Sequence, residues 1–121
     1  MMGNPIYDKA LAFAIRTVNL YKYLSEEKHE LVMGKQLLRC GTSIGANVSE
    51  ALAAESDMDF VHKMAISQKE TKEVLYWLTL LCRTEYLTAT QHKSMEDDCH
   101  ELYKMITSII LSTKQKVNKK S

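Results

Sequence analysis

Residues 39–51 read RCGTSIGANVSEA, a stretch of small and polar residues in a chain that is otherwise plain amphipathic helix. Gly41 and Gly45 lie four residues apart, so a helix carries both on one side, where the missing side chains let a neighbouring backbone approach. Glycine in a helix interior costs about 1 kcal/mol relative to alanine, and packing must compensate for that cost. The stretch therefore predicts close packing of one helix against another.

The same stretch carries a band of polar side chains, spaced by 4, 4 and 3 residues on one helical face: Arg39, Ser43, Asn47 and Glu50. Serine and asparagine are mediocre helix formers, because their side chains compete for backbone hydrogen bonds. We therefore predict that this polar band positions a neighbouring helix or subunit and is not catalytic. We expect both charged ends to pair with another segment, with Ser43 and Asn47 bridging between them. An exposed, solvated face is the alternative.

Length and composition favour one all-α domain. The chain has 121 residues, enough to bury a real core, and its four Gly and one Pro leave few helix breakers. The three cysteines have no CxxC spacing, so neither a disulfide framework nor a thiolate zinc site is indicated. No segment resembles a signal peptide or a membrane span. We expect a cytoplasmic protein with no cofactor and no membrane partner.

Apolar spacing and a start signal define the first helix. Asn4 followed by Pro5 is a typical helix start. The helix carries an apolar row at 4-3-4-3 spacing, which we expect to face the core: Tyr7, Leu11, Ala14, Val18 and Tyr21. Further apolar residues widen this row, including Ile6, Ala10, Phe13, Leu20 and Leu24.

Three further helices follow. The second resumes after the polar run at 25–30, and residues 56–59 offer caps for the third, which we expect to be the longest at roughly 25 residues. Thr88 with Gln91 has the form of a capping box for the fourth. Short connections give antiparallel neighbours, so we predict an up-down-up-down four-helix bundle over residues 1–112.

The excess positive charge of the chain lies at its C-terminal end. The formal net charge is +1, and acidic and basic residues nearly balance within each of the first three helices. Residues 113–121 instead hold no acid and four lysines: Lys114, Lys116, Lys119 and Lys120. Phosphate contacts by lysine and arginine dominate nucleic-acid binding. We predict a flexible basic tail, on which any nucleic-acid binding depends, with help from lysines of the bundle that the fold brings together.

Tyr76 and Trp77 lie in YWLTLL, where large apolar side chains occur on nearly every side of the third helix. A helix that is apolar all round is buried on more than one side. Aromatic residues are enriched at protein interfaces. These two residues therefore predict a homo-oligomer interface, with a wide core stripe as the alternative.

Signals for metal binding and catalysis are weak. Glu26 and His29 have the Glu-x-x-His spacing of di-iron bundles but fall in a predicted turn. His92, Glu96 and His100 could clamp a surface metal ion, although such a stripe is more often solvated helix. No nucleophile, base and orienting group can be assembled from the sequence. The chain is therefore predicted to be non-enzymatic and without a bound metal.

A wider set of residues carries a family resemblance, in which SIxxN is followed by E, then by DF and YWL at set distances: Arg39, Ser43, Ile44, Asn47, Glu50, Asp59, Phe60, Lys69, Glu70, Glu73, Tyr76, Trp77 and Leu78. Over residues 7–112 the chain resembles the bacterial four-helix-bundle family encoded by intervening sequences in 23S rRNA genes. Ala51 departs from the family pattern, since many relatives have glycine there.

The resemblance implies a left-handed four-helix bundle that assembles into a ring-shaped homopentamer. It also implies similarity to the accessory variability proteins of diversity-generating retroelements, which bind nucleic acid and associate with a reverse transcriptase. The expected function is an oligomeric scaffold that contacts RNA or another nucleic acid. The alternative is a protein-only adaptor ring, for example an accessory subunit for a reverse transcriptase or other partner protein.

Overall fold

The computed structural model describes residues 3–120, which form four α-helices: α1 (Pro5–Glu26), α2 (Val32–Leu52), α3 (Asp57–Arg83) and α4 (Ala89–Lys120). No β-strand occurs within this described range. The all-α class predicted from the composition is confirmed.

Three helix starts use the capping residues predicted from the sequence. Asn4 and Ser56 each accept a hydrogen bond from the backbone N–H three residues later, at 3.1 and 3.0 Å. Thr88 and Gln91 form a reciprocal capping box, in which the backbone N–H of each donates to the side chain of the other. These bonds satisfy donors that have no partner inside the helix, so they define where each helix begins.

Each helix packs against its neighbours in chain order, and α4 also contacts α1. Paired positions run in opposite senses along α1 and α2, since Ala10 lies beside Gly45 and Thr17 beside Gly41. Among the described residues, no Cα atom of α1 lies within 8 Å of one in α3. The helices α1 and α3 therefore lie on opposite sides of the molecule.

The glycine stretch of α2 packs against α1. A Cβ atom added to Gly41 would lie 2.6 Å from Thr17 Cγ2 and 2.7 Å from Thr17 Oγ1. A Cβ atom added to Gly45 would lie 3.5 Å from the backbone carbonyl oxygen of Ala10. Thr17 and Ala10 are fully buried. The close helix packing predicted from the two glycines is confirmed.

One hydrophobic core joins all four helices. Its largest fully buried apolar side chains are Phe13, Leu24, Leu37, Ile44, Met64, Leu78, Leu81, Leu102, Ile106, Val48 and Val74. The buried apolar side of α2 runs from Leu37 to Ala51, because the repeat of this helix offers one apolar row to bury.

The core-facing side of α1 is centred on residues that were predicted to widen the apolar row, and not on the row itself. The buried residues are Ile6, Ala10, Phe13, Thr17 and Leu24. In the predicted row Leu11 is 46% exposed, and Ile15 beside it is 55% exposed. Both rows are apolar, so periodicity could not choose between them, and packing against α2 makes the choice. The helix keeps a second apolar surface, the outer face of α1, formed by Leu11, Ile15 and Val18.

The longest helix is α4 and not α3, with 32 residues against 27. The segment predicted as a flexible tail continues this helix to Lys120, and Ser121 lies outside the described residues. The segment has no Gly or Pro, and lysine and glutamine are good helix formers. Lys116 Nζ lies 3.1 Å from Asp57 Oδ1, so the end of α4 also contacts the first turn of α3.

Candidate interaction surfaces

The polar band of α2 contacts α3 at its two charged ends. Arg39 Nη1 lies 3.3 Å from Glu70 Oε2, and Arg39 Nη2 donates a hydrogen bond to Glu73. Glu50 Oε1 accepts a hydrogen bond from Lys63 Nζ at 3.4 Å. Each charged end therefore pairs with the neighbouring helix, so the two ends hold α2 and α3 in register.

Ser43 and Asn47 do not bridge the two charged ends, and that expectation is wrong. Ser43 Oγ donates to the backbone carbonyl oxygen of Arg39 at 2.7 Å, and Asn47 Nδ2 donates to that of Ser43 at 2.8 Å. Both bonds stay inside α2, because short polar side chains readily reach the carbonyl oxygen one turn earlier. The polar band therefore contacts α3 through two separate sets of ion pairs, one at each charged end.

Glu73 is the centre of the larger contact. It accepts hydrogen bonds from Arg39 and from Trp77 Nε1, the latter at 3.1 Å. The bond from Arg39, followed by the bond from Trp77, lowers the pKa of the Glu73 carboxyl. The same contact raises the pKa of the Arg39 guanidinium. This role of Glu73 was not predicted from the sequence, although its spacing of four residues from Trp77 puts the two on one helical face.

The lowered pKa of Glu73 predicts that the free energy of unfolding falls slightly at acidic pH. Its pKa is lower in the folded chain than its ordinary value of 4.5, so its stabilisation is fully present above that value and is lost as the pH falls from there through the lowered pKa of the folded chain. Glu73→Gln should flatten the acid limb of the stability curve, by less than about 1 kcal/mol for a contact this exposed. Urea unfolding between about pH 3 and pH 7 measures the effect. Glu55→Gln, at an exposed loop position, is the control, and equal flattening by both variants would contradict the assignment.

Tyr76 and Trp77 lie in different environments. Trp77 is partly buried against the core and bonded to Glu73, whereas Tyr76 is 59% exposed. Tyr76 borders an open cleft on α3, the Tyr76 cleft, lined by Lys72, Leu75, Tyr76, Thr79, Leu80 and Arg83. Trp77 therefore packs against the core of its own chain, and Tyr76 is the more accessible side chain of the pair.

The end of α4 presents cationic side chains to solvent. Lys114, Lys116 and Lys119 are exposed, and the side chain of Lys120 lies outside the described part of the chain. Lys116 is paired with Asp57, whereas Lys114 and Lys119 form no ion pair with a carboxylate of the described residues. The helix thus carries at least two cations that an anionic partner could contact.

Two free cysteines of the described chain lie in the hydrophobic core. Cys40 and Cys99 are buried free thiols, and burial raises the pKa of each to about 12, so both stay protonated at neutral pH and are poor nucleophiles. Within residues 3–120 no three His, Cys, Asp or Glu side chains form a group that could hold a metal ion. In the same range, no helix has the length and apolar character needed to cross a membrane.

Comparison with known proteins gives the family. A search of the curated proteins found no match. Among solved structures the chain is similar to a protein of unknown function from the S23 ribosomal protein family of Bacteroides thetaiotaomicron VPI-5482, with 53% identity, a TM-score of 0.86, and coverage of 87% of this chain and 97% of that one. The family model for the 23S rRNA-intervening sequence protein matches residues 3–108, which include all of α1, α2 and α3, and the chain therefore belongs to that family.

Proposed function

We propose that this protein is a non-enzymatic scaffold of the cytoplasm, which assembles with copies of itself and contacts RNA or another nucleic acid. The observation that carries the nucleic-acid contact is the lysine-bearing end of α4. Residues 113–121 contain four lysines and no acid, whereas the rest of the chain keeps 12 basic and 15 acidic residues. Exposed cations can neutralise phosphates without a shaped pocket. The basic helix end is therefore the surface at which phosphate binds.

The proposed subunit is an up-down-up-down, left-handed four-helix bundle, and the proposed assembly is a homopentameric ring. The opposite senses of α1 and α2, together with the contact of each helix with the next one in chain order, support the bundle order. Large apolar side chains outside the core support self-association, among them Ile15 at 55% and Met58 at 76% exposure. The pentamer and the left-handed twist rest on the family resemblance.

The net negative balance of the chain outside the tail favours a second candidate. A surface with more acidic than basic residues repels phosphate, so the ring could bind protein alone, as an accessory subunit for a reverse transcriptase or other partner protein. The two candidates differ in the salt dependence of binding, because only phosphate contacts release counterions.

The combined variant Lys114→Gln, Lys119→Gln and Lys120→Gln should weaken binding to a labelled single-stranded RNA. Each lost phosphate contact should also reduce the slope of log affinity against log salt by about 0.7, so the three together remove up to about two units. Glutamine keeps the helix propensity and removes the charge. Fluorescence anisotropy at several salt concentrations measures both quantities.

A matched control removes three exposed lysines elsewhere: Lys28→Gln, Lys35→Gln and Lys104→Gln. This control should reduce the slope by less than the α4 variant does. Equal weakening by the two triple variants would show that only net charge matters and would contradict the α4 assignment. A parent protein that binds no RNA at low salt would instead support the protein-only adaptor.

A further inference from the structure

We propose that the cleft between the first turn of α3 and the end of α4 binds an unpaired base of a single-stranded nucleic acid. The inference rests on the proposed nucleic-acid contact at the end of α4, and it names the class of nucleic acid that this surface takes.

The Met58 cleft lies where α3 begins and α4 ends. Its lining residues are Asp57, Met58, Val61, Lys114, Val117 and Asn118. Met58 and Val61 are three residues apart on α3, so they lie on one side of that helix. Lys114 and Val117 have the same spacing on α4. One side of each helix therefore forms one wall of the cleft.

Both walls carry apolar side chains that solvent can reach. Met58 is 76% exposed, although it is large and apolar. Val61 packs against the hydrophobic core but is only partly buried, and Val117 opposite it on α4 is also partly exposed. Apolar surface gathered in one cleft favours a ligand with an apolar part.

The same cleft contains a cation that is available to a ligand. Lys114 is exposed and forms no ion pair with a carboxylate of the described residues. Asp57 is the acid among the lining residues, and Lys116 Nζ lies 3.1 Å from its carboxylate and balances its charge. The charge of Lys114 is therefore left over, and the complementary ligand combines an apolar part with a negative charge.

A nucleotide has both parts. Its base is a flat aromatic ring that packs against apolar side chains, and the thioether of methionine makes favourable contacts with aromatic rings. Its phosphate is an anion that lysine neutralises. Lys114 also belongs to the basic end of α4, so a base in the Met58 cleft keeps its backbone beside the other lysines. The bases of a duplex are paired and stacked inside it, so the base that enters must be unpaired.

An abasic strand tests the base contact, because it keeps the phosphates and lacks the bases. The two probes are a short labelled single-stranded RNA of mixed sequence and the same strand with every base replaced by hydrogen. Fluorescence anisotropy measures the affinity for each. The parent should bind the complete RNA at least about fivefold more tightly than the abasic strand, which is the lower end of the range for one stacked base.

Met58→Gln makes this wall of the cleft polar and leaves its charge and helix propensity nearly unchanged. It should bind the complete RNA about fivefold more weakly than the parent does, and the abasic strand as tightly as the parent does. The slope of log affinity against log salt should stay that of the parent, because the phosphate contacts remain. Affinity for the same RNA annealed to its complement should also stay unchanged.

Val32→Gln is the matched control, since Val32 is also 76% exposed and lies at the opposite end of α2 from the loop that leads to α3. It should bind both strands as the parent does, and circular dichroism should show the same helix content in every variant. Equal affinity of the parent for the two strands, or equal weakening of both by Met58→Gln, would overturn the base site and leave the phosphate contact in place. A parent that binds neither strand at low salt would overturn the proposed nucleic-acid contact itself, and the base site with it.

Discussion

Gly41→Ala is expected to destabilise the protein by about 1–2 kcal/mol, although alanine is the better helix former. The new Cβ atom would meet both Thr17 Cγ2 and Thr17 Oγ1 at under 3 Å. Thr17 is fully buried and its hydroxyl donates to the carbonyl oxygen of Phe13 at 2.9 Å. Rotation of this β-branched side chain can remove only one of the two close atoms, so α1 and α2 must separate.

Gly45→Ala is the matched control for this prediction. Its Cβ atom would make ordinary contact with Ala10, so the gain in helix propensity should leave the variant as stable as the parent or more stable by up to about 1 kcal/mol. Urea unfolding followed by circular dichroism measures both variants. Thr17→Ala in the Gly41→Ala background should restore part of the lost stability, since it removes both clashing atoms. Equal stability of the two glycine variants would contradict the close contact at Gly41.

Leu102→Ala should cost about 2–5 kcal/mol, the range for a leucine truncated in a packed core. Leu102 is fully buried on α4, where its removal leaves a cavity among side chains of the other helices. The loss comes from the transfer energy of the deleted atoms and from the cavity that remains. A shift of the urea midpoint at unchanged slope, at one fixed protein concentration, is the expected signature.

Leu111→Ala makes the same chemical change nine residues later on the same helix, at a position that is 55% exposed. It should change the free energy of unfolding by no more than about 0.5 kcal/mol, as is usual for surface positions. Comparable losses from the two leucine variants would show that the core assignment of α4 is wrong. Comparison of the two variants separates the effect of burial on stability from the effect of helix propensity, because both replace leucine with alanine.

Contacts between residues that lie close together along the chain could be predicted from the sequence. The caps at Asn4 and Ser56 and the reciprocal box of Thr88 with Gln91 depend on groups three residues apart. Such contacts form wherever the helix begins, whatever lies around it. The all-α class follows in the same way from apolar spacing and from the scarcity of helix breakers, and the two glycines of α2 already indicated a close neighbour.

Only the tertiary structure determined the features that depend on contact with another helix. The row of α1 that includes Leu11 was expected to face the core, but the fit of Thr17 against Gly41 buries the neighbouring row and leaves Leu11 exposed. Ser43 and Asn47 were expected to reach across to a neighbour, but a carbonyl oxygen one turn away was closer. A sequence specifies which side chains share a face, whereas which face is buried depends on the shape that another helix offers to it.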